Sequence, residues 1–136
     1  VIGELYLASV TRRIFRVLWY RAALYDRSVM TDDEVDAYLA LIKRVDGGRA
    51  FLRVMRGFEL TEHKQSHYRN AVRDVPYPVQ IIWGEHDRAL KIEQHGRDVA
   101  KAAGRPIQRV AARHFLQEER PRAVAEAIAQ LARDAS

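Results

Sequence analysis

Two stretches in the second half of the chain restrict its fold more than any other feature. The run Pro78-Val-Gln-Ile-Ile-Trp-Gly-Glu-His-Asp87 is short, apolar and rich in β-branched residues, and it stops at a glycine. Such a run reads as a buried strand over residues 79–83, after which Gly84 gives the backbone room to turn and leaves Asp87 at the strand's carboxyl end. Residues 107–111, Ile-Gln-Arg-Val-Ala, read as a second strand that ends just before His114. Between the two, residues 92–103 have helical character and are closed by Gly104 and Pro106 in the order that ends helices. A strand, a helix and a strand make a crossover unit, so the strands are expected to be parallel neighbours buried on both faces. Asp87 and His114 then stand side by side at the carboxyl ends, where α/β sheets carry their chemistry.

The remainder of the chain is read as helical. Residues 4–25 are dense in apolar side chains and contain no Pro or Gly. Thr31-Asp-Asp-Glu34 is a capping box, followed by Val35, Tyr38, Leu39 and Ile42 at helical spacing. Asp46-Gly47-Gly48 breaks the chain, and Phe51, Val54, Met55 and Phe58 form a further apolar stripe. Another helix is expected from near Thr61 and carries Tyr68, Ala71 and Val72. Val75-Pro76-Tyr77-Pro78 is stiff and extended, because each proline biases its predecessor away from the helical region, and it divides residues 1–74 from residues 75–136. After His114, Pro121 suits the first turn of a closing helix with Val124, Ile128 and Leu131 along one face.

With Arg113-His114-Phe115-Leu116-Gln117-Glu118 joined to the acid motif of residues 78–87, the chain resembles the carboxy-terminal part of an α/β-hydrolase, in the branch of haloalkane dehalogenases and epoxide hydrolases. The resemblance implies an α/β fold class: a helical cap or lid over residues 1–74, then a β-α-β-α segment of the hydrolase core with parallel strands over residues 75–136. It also implies a catalytic triad in the order nucleophile, acid, histidine, in which Asp87 orients the ring and His114 is the base. The chemistry agrees with those roles. A neutral imidazole that takes a proton from water must survive as imidazolium, and a carboxylate on its other nitrogen selects the tautomer and stabilises the charge. Read singly, Asp87 is better taken as a helix cap and His114 as a packed loop residue; it is their pairing at two strand ends that favours the catalytic roles.

No nucleophile accompanies them. Ser9, Ser28, Ser66 and Ser136 lack the flanking glycines of a Gly-x-Ser-x-Gly elbow, and there is no cysteine. The oxyanion-hole loop of the family has no counterpart either, and the chain opens at Val1 without a methionine. The simplest reading is the second half of a larger enzyme, partnered by an amino-terminal half or, failing that, by further copies of itself. A serine nucleophile would make an esterase, whereas an aspartate would form an alkyl-enzyme ester by displacing halide or opening an epoxide. The motif at residues 114–118 is closer to the dehalogenase form, and Trp19 and Phe115 are then candidates for an apolar substrate pocket or halide contact. Tyr68-Arg69-Asn70 is similar to the epoxide hydrolase segment whose tyrosine donates to the epoxide oxygen, although His67 stands where that family carries Trp; Tyr20, Tyr25 and Tyr38 compete for a second such role. Ordinary packing is the plain alternative for Trp19 and for Tyr68. A non-catalytic interaction module derived from such an enzyme is the reading from a different functional class.

Composition narrows the rest. The chain has 136 residues, 48% hydrophobic and 30% charged, as an ordinary globular domain does. No apolar stretch approaches the roughly 18 residues that span a bilayer. The net charge of +5 comes from arginines scattered along helix faces, so neither nucleic acid nor a membrane is an expected partner; Arg12, Arg13, Arg16 and Arg21 are read as snorkelling residues of a packed cap helix. His63 and His67 share a helix face at i, i+4 but have no evident third ligand, so no metal site is expected. No cofactor is expected, the substrate is a small apolar molecule, and the lack of cysteine is compatible with the cytoplasm.

Overall fold

The computed structural model describes residues 10–135. Their element order is α1 (Arg12–Leu18), a π-helical turn (Trp19–Ala23), a 3-10 turn (Arg27–Val29), α2 (Asp32–Lys43), α3 (Arg49–Arg56), α4 (Glu62–Asn70), β1 (Ile81–Gly84), a second π turn (Ile92–Gly96), α5 (Arg97–Ala103), β2 (Ile107–Val110), α6 (Leu116–Glu119) and α7 (Pro121–Asp134). The chain is therefore a run of helices followed by a β-α-β-α unit whose two strands pair in parallel, Ile81 opposite Ile107 and Gly84 opposite Val110.

Local signals account for most helix ends. The Thr11 hydroxyl accepts from the Ile14 amide and starts α1, so the helix expected over residues 4–25 begins at Arg12 within the described residues; its first residues, 4–9, lie outside them. Thr31 and Glu34 form the reciprocal capping box of α2, and Thr61 caps α4 through the Lys64 amide. Gly104 ends α5 in the left-handed region at φ 63°, which costs glycine little. Pro121 occupies the first turn of α7, where a missing N–H is no loss.

The first helix does not run uniformly to residue 25. Its winding widens to a π turn at Trp19, with the Leu24 amide bonding to the Trp19 carbonyl at 3.3 Å. The wider turn places Trp19, Ala23 and Leu24 on one side, and all three are buried. Together with Met30 and Val35 they form the principal apolar cluster, against which Phe15, Tyr20, Val29, Tyr38 and Phe115 pack. Leu24 and Val35 are fully buried. Truncating Leu24 to alanine is expected to cost about 2–5 kcal/mol, which chemical denaturation would measure.

Several sequence expectations are corrected. The strand expected at residues 79–83 is displaced to Ile81–Gly84, because pairing with β2 rather than local composition sets its limits. The sheet is only partly buried: Gln108 and Arg109, on opposite faces of β2, are both exposed, although the π turn at Gly96 packs against Ile107 and Trp83. Phe51, Val54, Met55 and Phe58 are likewise exposed, so their stripe is only partly covered, Phe51 alone of the four lining the apolar cleft beside Trp19 and Leu39. In α7 the inward face runs through Ala127, at 3% exposure, and leaves Ile128 at 59%, because a small residue allows the helix to lie closer.

An ion-pair cluster holds α1 against α2. Arg16 reaches Asp36 through Nε at 2.7 Å and Nη2 at 2.8 Å, and Asp32 through Nη1 at 2.6 Å. The hydrogen bonds from Arg16, followed by its charge and that of Arg12, hold the Asp36 carboxyl below its ordinary value. A depressed carboxyl adds stability above its unfolded pKa and loses it as pH falls through the folded one. Thermal melts of Asp36→Asn and the parent should accordingly differ by a constant amount above the ordinary value of 3.8 and converge as the pH is lowered beneath it.

Candidate active site

The acid turn is built by backbone pairing that continues past β1. The Glu85 amide donates to the Val110 carbonyl at 2.9 Å and the His86 amide to Ala112 at 3.0 Å, so the two loops leaving the sheet remain zipped together. Trp83 closes the acid loop from beneath, its indole N–H donating to the Leu90 carbonyl at 2.7 Å. The loops can approach this closely because residue 84 has no side chain. A Cβ there would overlap the Arg113 carbonyl oxygen and lie 2.7 Å from that of Ala112. The expected turn does follow Gly84, the Asp87 amide donating to its carbonyl at 3.1 Å, but its φ is not positive, and the need for glycine comes from the close approach of two backbones.

Asp87 uses both carboxylate oxygens. Oδ1 accepts from the Ala89 amide at 2.8 Å and the Leu90 amide at 3.0 Å, which caps the following turn. Oδ2 meets Nδ1 of His114 at 2.9 Å. The capping role and the imidazole contact, alternatives in the sequence, coexist in one side chain. Asp87 is 6% exposed at its side chain and His114 40%, so the carboxylate is enclosed while the ring borders solvent. A carboxylate only accepts hydrogen bonds, so the geometry assigns the proton to Nδ1 and leaves the Nε2 lone pair as the ring's basic position.

The residues following His114 return to the first helices. Phe115 stacks on Trp19 at 4.4 Å between centroids, and the His114 ring lies T-shaped to it at 5.3 Å. Tyr38 lies 4.6 Å from Trp19, and its hydroxyl donates to Glu118 at 2.5 Å. That bond, ahead of burial, raises the phenol above its ordinary value and keeps it a donor. The expected pair Trp19 and Phe115 is therefore brought together beside His114. Trp19 also lines an apolar cleft of about 260 Å³ with Phe15, Leu18, Leu39, Ile42 and Phe51, and its buried indole N–H has no hydrogen-bond partner among the described residues.

Tyr68 stands elsewhere. It is 59% exposed on α4, beside His67 and Lys64, and α4 is held to α5 by the Arg69–Asp98 ion pair at 2.9 Å. Of the competing tyrosines, Tyr25 is the one brought to the acid turn, its ring stacked on His86 at 4.1 Å. Among the described residues no group of three or more His, Cys, Asp or Glu side chains is placed to hold a metal ion. No described helix is long and apolar enough to cross a membrane.

Two residues at the site escaped sequence reasoning. Glu119 is 3% exposed, and its carboxylate accepts from the amides of Tyr25 at 2.6 Å, Asp26 at 2.8 Å and Arg113 at 2.6 Å. Arg113 sends its guanidinium to the carbonyls of Arg21 at 2.6 Å and Leu24 at 2.9 Å. Arg113 opens the histidine motif and Glu119 follows it, but neither was given a role, because in sequence such charges are indistinguishable from solvated ones. Comparisons with family models, with curated proteins and with solved structures give no match to this chain.

Gly84→Ala is the sharpest test of how the site is assembled. The added methyl should force the two loops apart and destabilise the protein by about 3 kcal/mol, in the upper part of the range for overpacked interiors. Urea denaturation would measure the loss, and an unchanged midpoint would show that the loops tolerate separation.

Proposed function

We propose that this chain provides the acid, the base and the cap of a cofactor-independent α/β-hydrolase acting on small apolar substrates in the haloalkane dehalogenase manner, with the nucleophile supplied from outside residues 1–136. The observation that carries the reading is the 2.9 Å contact between Asp87 Oδ2 and His114 Nδ1 at the carboxyl ends of two parallel strands. In that arrangement Nε2 takes a proton from water while the water oxygen attacks the carbonyl carbon of an alkyl-enzyme ester. Asp87 stabilises the imidazolium until its proton passes to the departing alkoxide, which releases the alcohol; the nucleophile is left as a carboxylic acid, and loss of the second water proton to solvent restores its carboxylate. The apolar surroundings of Trp19 and Phe115 favour a substrate with little polar surface.

The dehalogenase reading is preferred to an epoxide hydrolase because Tyr68, which would polarise the epoxide, is exposed on α4 with its ring against His67 and Lys64. An esterase would need a serine nucleophile from the same outside source. The exposed stripe of Phe51, Val54, Met55 and Phe58, with the outer strand edges of the two-stranded sheet, favours association with another polypeptide. We propose that this partner is a nucleophile-bearing hydrolase half or, in its absence, another copy of the chain. The same exposed surfaces support the second reading, an interaction module that has lost catalysis. A reducing compartment such as the cytoplasm suits either reading of a chain without cysteine.

Purified alone, the chain should hydrolyse haloalkanes, epoxides and esters no faster than background. Combined with a nucleophile-bearing half it should turn over, and His114→Ala or Asp87→Asn should then reduce kcat by about 10⁴-fold. Turnover indifferent to both substitutions would sink the catalytic reading and leave the interaction module. Sedimentation of the isolated chain should show self-association; a monomer that unfolds cooperatively would contradict the proposed assembly.

A further inference from the structure

The strongest unused feature is the buried carboxylate beneath the histidine loop. Enclosing a charge is costly unless hydrogen bonds compensate, and filling that space would need only an apolar side chain. Glu119 is enclosed nonetheless, and all three amides it binds belong to the segments that meet at His114. The two residues flanking His114 are both pinned through their backbones. The Arg113 amide donates to Glu119 at 2.6 Å, and the Phe115 amide donates to the Ala23 carbonyl at 3.3 Å. Arg113 adds the reverse connection, from its guanidinium to the carbonyls of Arg21 and Leu24. Donors and acceptors therefore cross between residues 21–26 and residues 113–119 in both directions.

We propose that Glu119 and Arg113 are positioning residues that hold the His114 backbone on either side and so set the imidazole against Asp87, tying the geometry of the base to the first helices of the cap. The proposal rests on the catalytic reading for its purpose but not for its test. Placement within about 0.5 Å decides whether a base is effective, and a side chain that borders solvent gains that precision from its backbone. A shift of residues 21–26 would move His114 with them.

Glu119→Gln is the discriminating variant, because its amide must set a donor against either the Arg113 amide or the pair on Tyr25 and Asp26. In the full chain labelled with ¹⁵N-histidine, the parent should show one His114 tautomer with a protected Nδ1 proton. In Glu119→Gln that proton should exchange with water at least about tenfold faster, the effect of losing one charge-assisted hydrogen bond, and both tautomers should appear. Ala127→Gly, a destabilising change in α7 that leaves the clamp intact, should keep the parental signature and so separates positioning from general loosening. Arg113→Lys keeps Glu119 and its donors, is the milder change, and should give the same direction of effect should Glu119→Gln not fold. A parental His114 signature in whichever variant folds overturns the proposal. Should the signature change while no assembly of the protein ever hydrolyses substrate, the catalytic reading fails and the positioning role stands. Turnover in the assembled enzyme with an unmoved signature would instead keep the catalytic reading and remove the positioning role.

Discussion

The structure depends on the carboxylate of Glu119. It belongs to the most fully buried charged residue among those described, and it joins segments separated by about ninety positions in sequence. Three backbone amides satisfy it, so the enclosed charge costs far less than an isolated one. Its partners are backbone groups of irregular segments, which otherwise would have had to reach water or remain unpaired. The same carboxylate thus solves two problems, since it completes the hydrogen bonding of the 24–26 and 112–114 loops and fixes their separation. A hydrophobic residue of similar volume would fill the space and satisfy neither loop.

Around that polar joint, aromatic packing supplies the apolar stabilisation. Phe115 leaves the sheet end of the molecule and stacks on Trp19 beside Tyr38, while His114 stays at the solvent border with its ring T-shaped to that of Phe115. Adjacent residues therefore divide labour, one anchoring and the other remaining accessible. The π turn at Trp19–Ala23 is part of the same arrangement, because only a widened turn presents Trp19, Ala23 and Leu24 together to the cluster. The indole N–H of Trp19 is left without a partner among the described residues at the centre of this packing, a polar group next to the apolar cleft.

Elsewhere the molecule is incompletely covered. A two-stranded parallel sheet is a small fragment of the sheets in which parallel pairing is normally stable, and the exposed faces of β2 and α3 are of the kind that another layer would bury. The contrast with the closely packed region between Trp19 and Glu119 is physical: there both sides of the interface belong to the described residues, whereas the apolar stripe of α3 is left largely exposed.

The sequence by itself determined what depends on neighbours along the chain. Thr31 and Glu34 specify a helix start, Gly104 a stop and Pro121 a first turn, because caps and fixed torsions act over a few residues. The two apolar runs and the helix between them carry the parallel strand pair, although the limits of β1 at Ile81–Gly84 came from its partner. Asp87 and His114 were legible as a pair because each follows a strand end, and pairing in register brings such ends together. What only tertiary structure decided is which polar and apolar groups meet across long separations. No local pattern tells the enclosed Glu119 from the neighbouring Glu118, or the inserted Trp19 from the exposed Tyr68. Gly84 looked like a turn residue, and its requirement lies in two carbonyls on another strand's loop. The exposure of Phe51 and Phe58 has the same origin, for periodicity identifies an apolar face but not whether anything covers it.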